Sequence, residues 1–546
     1  MQDIAAEDAP PPGVATGPAT ARATPRRRRP PWKRALLAAA GGLAQCAALP
    51  PVNWWPLAPI GVACVVLAIR GTRWRGGAFV GLFAGLGLMI PMLQWLRPVG
   101  YDAWAALGFI ESLYFVPLGV ALAYATRLRG WPVWAAALWV AQEAVRGRLP
   151  YGGFPWGKLA FGQTDDLLAR LAALGGAPLV TFATALSGGL LAYAVVLIRR
   201  ARKRPGAAVN RRRLTGAVAA LAGVVAVQVC GLAVPIAQGS GHDHNVAVVQ
   251  GNVPRSGLDF LGQREAVLRN HTGVTQWYAQ RVREKKAPRP QLVIWPENSS
   301  DVDPMLDPGA YDQIQAAVTD IGAPVLVGAL ISPRRADGSV NTSVVENQGV
   351  VWDPVTGPGK SYAKRHLVVF GEYIPYRTFF LKFIGRLDRV GQDKVPGHRS
   401  GALRMGPVTI GDVICFEVAY DEIPRQAVNE GGQILVVQTN DATYGRTGMP
   451  EQQLAISRLR AVEHDRPVLV AATSGISAII ARDGRIIDRS REFTPDVLTA
   501  SVPAIGDRTI ADRIGAAPEW ALTALGVAAA IGGAFAGRRK RQEAQA

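Results

Sequence analysis

Apolar residues crowd two parts of the chain, Leu36–Ile236 and Trp520–Ala536, whereas 244–505 alternates short apolar and polar runs like an ordinary soluble domain. A helix crosses the hydrocarbon core with about 20 apolar residues. Eight stretches are candidate spans: Ala35–Leu49, Trp54–Ile69, Gly76–Leu96, Trp104–Ala125, Trp131–Val145, Ala177–Ile198, Leu214–Ile236 and Glu519–Ala536. The first, second and fifth are short or interrupted by proline. Trp54, Trp55, Trp95, Trp131, Trp134 and Trp520 lie near span ends, where an interfacial belt would place them.

Lysine and arginine in the short loops set the orientation. One set of alternate loops holds Arg26–Arg29 with Lys33 and Arg34, then Arg70, Arg73 and Arg75, then Arg127 and Arg129. The same set continues with the run from Arg199 to Arg213 and the tail Arg538–Arg541. The other set holds Arg97, Arg146, Arg148, Lys158 and Arg170. Eight spans then put both termini in the cytoplasm and the domain between spans seven and eight outside. The expected division is a disordered basic tail (1–34), a seven-span membrane domain (35–236), the outer domain (244–505), an eighth span (517–537) and a basic tail (538–546).

The loop after span five runs Arg146-Gly-Arg-Leu-Pro-Tyr-Gly-Gly-Phe-Pro-Trp-Gly-Lys158. Gly, Pro and aromatics at membrane depth suggest a re-entrant or interfacial loop lining a cavity; the plainer alternative is an exposed turn. Glu143 ends span five, and an intramembrane carboxylate calls for a partner or a function. Arg146, three residues on, shares its helical face and would pair with it.

Within the outer domain, Asn245–Val249, Gln291–Ile294, Pro324–Gly328, Val408–Ile414, Gln433–Gln438 and Pro467–Ala472 read as strands. Asp259–Lys285, Tyr311–Thr319 and Glu451–His464 read as helices. Strands alternating with helices predict an α/β domain with a mixed or parallel sheet, and reactive groups in such domains gather at strand ends.

Charge and cysteine usage narrow the chemistry. The 546 residues carry 60 Lys and Arg against 41 Asp and Glu, a formal charge of +19. Many of these cations sit in blocks beside apolar spans, so they read as topology signals and not as a nucleic-acid face. The six histidines show no metal spacing, and His242 and His244 read as linker. Of four cysteines, Cys46, Cys64 and Cys230 lie in apolar spans, which leaves Cys415 without a disulfide partner in its domain. A lone thiol there is an inert core residue or a reactive one.

Three stretches hold candidate groups. Glu297 follows the Leu292–Ile294 strand in Trp295-Pro-Glu297. Lys364 lies in Tyr362-Ala-Lys-Arg-His-Leu-Val-Val-Phe-Gly-Glu-Tyr373. Cys415 follows the Val408–Ile414 strand, with Glu417 two residues on. A thiol needs a base, and a buried carboxylate can serve. A lysine nearby lowers the thiol pKa and holds an oxyanion. Each residue alone also has an ordinary structural reading.

These three motifs, in this order, resemble those of the nitrilase superfamily. With eight spans and the outward domain between the last two, nearly all of 35–536 resembles the apolipoprotein N-acyltransferase family, as do the Gly153-Phe-Pro-Trp156 loop and the Asn440–Gly445 segment. The resemblance implies an αββα nitrilase-like sandwich on a multi-pass helical membrane domain in a bacterial plasma membrane. It implies acyl transfer from a membrane phospholipid, through a thioester on Cys415, to the N-terminal amine of S-diacylglyceryl-cysteine lipoproteins, with no metal or organic cofactor. Glu297 would be the base, Lys364 the oxyanion holder, Glu372 and Glu417 supporting glutamates. Phe416, Tyr444 and Trp156 would meet substrate.

The chain departs from the family at Phe416, where an aromatic with a hydroxyl is common, and reads Asn440-Asp441 for the family's Asn-Asn pair. In Val253–Leu261, where some members hold lipid with a tryptophan, Leu258 and Phe260 are the available apolar residues. Two other readings stand beside transfer: a membrane-tethered amidase, and a non-catalytic scaffold for a polyprenol-phosphate mannosyltransferase.

Overall fold

The computed structural model describes residues 31–202, 207–253, 264–382, 384–385 and 391–543. The expected tail 1–34 falls almost wholly outside them, as do Leu258, Phe260 and the end of the tail 538–546. The apolar stretches form helices at Pro31–Ala48, Leu57–Ile69, Trp74–Met92, Tyr101–Leu113 with Phe115–Ala125, Trp131–Arg146, Ala172–Arg202, Ala207–Val229 and Ala517–Gln542. Among the described residues five segments are long and apolar enough to cross a membrane: Trp74–Met92, Tyr101–Ala125, Leu167–Arg202, Asn210–Ala233 and Ala517–Gly537. The expected first, second and fifth spans do not meet that measure. Their helices have 18, 13 and 16 residues, and 13 residues rise only about 20 Å. The Leu57–Ile69 helix is largely buried, as an inner helix of the bundle would be.

Helices approach closely where glycine leaves room. A Cβ on Gly77 would lie 2.5 Å from the Gly119 carbonyl oxygen, and one on Gly81 2.1 Å from that of Phe115. Such small-residue contacts let helices associate where lipid removes the hydrophobic drive. Gly175 and Gly176 (φ +69°) break the Ala172–Arg202 helix just before the expected start at Ala177.

Two expectations for the bundle are corrected. Trp95 and Trp131 are not belt residues; each is 4% exposed, against 65% for Trp54 and 53% for Trp520. Trp95 turns inward in a 3-10 turn, Gln94–Leu96, after Pro91. Arg146 makes its ion pair with Glu111 (3.6 Å) instead of Glu143. Glu143 instead accepts hydrogen bonds from the Leu159 N–H (2.9 Å) and the Thr181 hydroxyl (2.8 Å).

Among the described residues the domain after the seventh apolar stretch holds twelve strands: β1 (Asp243–Gln250), β2 (Leu292–Ile294), β3 (Val325–Ile331), β4 (Glu346–Asp353), β5 (Gly357–Ala363), β6 (Ala402–Met405), β7 (Val408–Ile414), β8 (Ile434–Thr439), β9 (Val468–Ala472), β10 (Ala478–Ile480), β11 (Ile486–Arg489) and β12 (Asp496–Pro503). His244, read as linker, already belongs to β1. One sheet is ordered β12-β1-β2-β3-β4-β5 and the other β11-β10-β9-β8-β7-β6. The centres, β1-β2-β3 and β7-β8-β9, are parallel, and antiparallel strands close the edges. Strands buried on both faces read as continuous apolar runs, which is why β8 and β9 stand out in the sequence.

Val248, Ile294 and Leu326 of the first sheet meet Ile410, Ile414 and Leu469 of the second. The Arg264–Arg283 and Pro308–Ile321 helices cover the first sheet's outer face through Leu268, Tyr278, Ile314 and Val318. Behind the second sheet, Val413, Val437 and Leu459 share one apolar cluster with Leu49, Met92, Phe161 and Ala172 of the bundle. The sandwich is therefore seated on the helices through a common core, not hung from them by a linker.

The sheets approach closely at Gly349 of β4, where a Cβ would sit 2.0 Å from Asp412 Oδ2 and 2.5 Å from Gln438 Oε1. Gly349→Ala must push the sheets apart and is expected to cost about 1–3 kcal/mol. Thermal unfolding of the detergent-solubilised variant measures this; an unchanged midpoint would contradict the close packing described.

Candidate active site

Three strand ends supply the expected groups. β2 ends at Ile294 and leads through Trp295 and Pro296 to Glu297. Gly328 of β3 makes room for that turn, since a Cβ there would lie 2.1 Å from the Pro296 carbonyl oxygen. Lys364 follows β5. Cys415 follows β7 and opens the 3-10 turn Cys415–Ala419 with φ +55°, a left-handed conformation that costs a non-glycine residue and aims its side chain off the strand end. Glu297, Lys364 and Cys415 are all buried.

The Lys364 ammonium lies between two carboxylates, 3.2 Å from Glu297 Oε1 and 3.0 Å from Glu372 Oε2. Glu372 also accepts from Lys394 Nζ (2.8 Å) and the Val368 N–H (2.8 Å). Asn347 Nδ2 donates to Glu297 Oε1 at 2.7 Å and Glu372 Oε1 at 3.3 Å. The Asn440 N–H donates to Glu297 Oε2 at 2.8 Å. Thr439 Oγ1 lies 3.3 Å and Gln453 Nε2 3.9 Å from Cys415 Sγ.

Electrostatics divide these roles. Burial pushes the Cys415 thiol up, the Glu297 charge adds to the rise, and Lys364 opposes it. The resting thiol is therefore protonated and needs a base. Burial pulls Lys364 down, but Glu297 and Glu372 outweigh it and hold the ammonium charged. Burial pushes Glu372 up, yet Lys364 and Lys394 outweigh that and hold it ionised. A charged lysine is a donor, not a base.

Glu417 braces the site. It accepts from the Tyr362 hydroxyl (2.9 Å), the Arg365 N–H (2.7 Å), the His366 N–H (3.0 Å) and the Ile414 N–H (3.0 Å). It thereby ties the Lys364 segment to the turn that carries Cys415.

The three expected substrate-facing aromatics fall in one cluster. Phe416 stacks on Trp156 (5.7 Å between ring centroids) and Phe154 (5.4 Å) from the membrane-side loop. Tyr444 meets Trp95 edge-on at 5.0 Å, and Trp95 lies 5.9 Å from Trp156. Arg146 holds that loop by donating to the carbonyls of Phe154 (2.8 Å) and Trp156 (2.6 Å). Trp156 Nε1 donates to Gln452 Oε1, and Gln452 Nε2 donates to the Pro50 and Met92 carbonyls. Sequence reasoning did not find Asn347, Lys394, Thr439, Gln453, Phe154 or Trp95 as site residues. Trp95 carried a signal, its place at a span end, but it pointed to the lipid interface. Asn347 and Lys394 carry no local signal. Among the described residues no group of three or more His, Cys, Asp or Glu side chains is arranged to hold a metal ion.

The family model described as apolipoprotein N-acyltransferase N-terminal domain matches residues 41–190, and that described as carbon-nitrogen hydrolase matches 245–506. A Mycolicibacterium smegmatis protein named apolipoprotein N-acyltransferase is 42% identical, over 92% of this chain and 86% of its own length. One of the same name from Azotobacter vinelandii is 30% identical, over 87% of this chain and 90% of its own. Among solved structures, an amidase from Nesterenkonia sp. is 18% identical over 50% of this chain and 94% of its own, with a TM-score of 0.35.

Glu417→Gln would set an amide NH2 against backbone donors, costing about 1–3 kcal/mol and loosening Lys364 from Cys415. Thermal unfolding and the rate at which a small alkylating agent modifies Cys415 are both expected to register it. Wild-type values on both counts would remove Glu417 from the bracing role.

Proposed function

The chain belongs to the apolipoprotein N-acyltransferase family, and on that footing we propose that this acyltransferase moves an acyl chain from a membrane glycerophospholipid, through a thioester on Cys415, to the N-terminal amine of S-diacylglyceryl-cysteine lipoproteins. In the first half, Glu297 takes the Cys415 proton and the thiolate attacks the ester carbonyl carbon. Lys364 Nζ and the backbone N–H of Phe416 hold the oxyanion. The tetrahedral adduct collapses, the lysophospholipid oxygen leaves with the proton from Glu297, and the acyl group stays on sulfur. In the second half the lipoprotein amine attacks the thioester, Glu297 takes the amine proton, and the thiolate departs and is reprotonated.

Glu372 orients Lys364, and Glu417 joins the two motif segments. Phe416, Tyr444 and Trp156 line the acyl path. The observation that carries lipid over a small amide is the stack of Phe154, Phe416 and Trp156. It sets membrane-side rings against the residue beside the nucleophile. A soluble-substrate amidase has no use for that contact. The mannosyltransferase draws no support from the relatives' names and has no part in the proposed reaction.

The proposal includes the topology: eight spans in a bacterial plasma membrane, counting the three short helices, with both termini cytoplasmic and the sandwich (244–505) outside. The steady Lys/Arg bias of alternate loops supports it. An outward site meets outer-leaflet donors and anchored acceptors directly.

Glu297→Gln, Lys364→Ala and Cys415→Ala are each expected to lower transfer about 10³-fold or more while the protein still inserts. Phospholipid and a diacylated lipopeptide are fed to membranes holding each form, and triacylated product is measured by mass. Wild-type membranes that make none would sink the transferase reading. After phospholipid alone, the Cys415 peptide should gain one acyl mass; an unmodified peptide would refute the thioester.

A further inference from the structure

Thr439 ends β8 with its hydroxyl at the centre of a buried polar cluster. Its Oγ1 lies 3.3 Å from Cys415 Sγ, 3.1 Å from Asp441 Oδ1 and 3.0 Å from Gln453 Oε1. Thr439, Asp441 and Gln453 are each at least 98% buried. The next residue's N–H holds Glu297 Oε2 at 2.8 Å, so this strand end touches both nucleophile and base. A hydroxyl has one proton to give. It cannot serve sulfur, carboxylate and amide together; a neutral Asp441 leaves the Gln453 carbonyl and the sulfur as acceptors, and of these a forming thiolate is the stronger.

We propose that Thr439 and Asp441 form a hydrogen-bond switch on the nucleophile: a protonated Asp441 donates to Thr439 Oγ1 and turns the Thr439 proton onto Cys415 Sγ, where it stabilises the thiolate. An ionised Asp441 is the strongest acceptor in reach and takes the Thr439 proton for itself. The sulfur then loses its donor and gains a second negative neighbour. No proton leaves the site through this pair; the thiol proton still goes to Glu297. Thr439 touches the reacting atom, and Asp441 is a positioning residue acting through it. The inference rests on Cys415 being the nucleophile.

The surroundings favour the neutral form. Burial pushes the Asp441 carboxyl up to about 7, with the Thr439 hydrogen bond opposing and the Glu297 and Glu492 charges adding. The groups facing this cluster are Glu297 after β2, Lys364 after β5, Cys415 after β7, Tyr444 in its own loop and Glu492 before β12. Because the neutral acid is the active form, the help it provides is present below about pH 7 and lost as pH rises through that value.

The test alkylates the full-length protein in detergent with iodoacetamide across a pH series and follows the Cys415 peptide by mass. A free thiol gains reactivity about tenfold per pH unit below its pKa. Wild-type Cys415 should level off as pH passes about 7. Asp441→Asn, whose amide donates at every pH, should keep rising and exceed wild type about tenfold on the alkaline side. Thr439→Val should react about tenfold more slowly at acidic pH, and Thr439→Ser should recover most of that loss. Melting midpoints check that each variant is folded. An Asp441→Asn profile that levels off like wild type overturns the switch, and so does a Thr439→Ser as slow as Thr439→Val. Alkylation needs no lipid, so failed acyl transfer with this pH behaviour intact refutes the transferase reading and leaves the switch standing.

Discussion

A buried ammonium group organises this protein. An unpaired charge in a dry interior is costly enough that it is neutralised or matched. Lys364 is matched by Glu297 at 3.2 Å and Glu372 at 3.0 Å. That requirement draws together the end of β2, the end of β5 and the 368–372 turn. Lys394 and the Asn440 N–H satisfy the oxygens that remain. The donors are thus in place before charge develops on a substrate, which is where preorganised electrostatics act most strongly.

The same dryness acts on the thiol in the opposite sense. Burial disfavours the thiolate, so sulfur depends on its neighbours: the Glu297 carboxylate, the Lys364 ammonium and the Thr439 hydroxyl. The bundle is part of this arrangement. Its loop, clamped by Arg146 through the Phe154 and Trp156 carbonyls, puts aromatic rings on Phe416, one residue from Cys415. The second sheet and the bundle share one apolar cluster, so the site and the membrane helices are packed as one body.

Local pattern determined a good deal. Apolar runs located the described α-helices of the bundle, and short apolar stretches located β1, β2, β3, β7, β8 and β9 to within a few residues. Three short motifs marked Glu297, Lys364 and Cys415. These features are legible because each depends on residues a few positions apart: a strand, its end, and the turn that follows. The crossing measure was less legible. Helices such as Leu57–Ile69 are as apolar as spans but too short, and only packing shows that such a helix is buried by its neighbours.

Tertiary structure decided the partnerships. Arg146 and Glu143 share a helix face, yet Arg146 pairs with Glu111 of another helix, and Glu143 accepts from Leu159 and Thr181. Trp95 sits where a belt residue would, yet it faces Trp156 and Tyr444. Asn347, Lys394 and Thr439 lie in no recognisable motif and reach the site only when two sheets pack face to face. From the sequence alone came the apolar helices, the strand ends and the three motif residues, since those are periodic or local. Which groups hold them in place was settled by folding, since a hydrogen bond between residues 50 or more positions apart exists only where packing closes the distance.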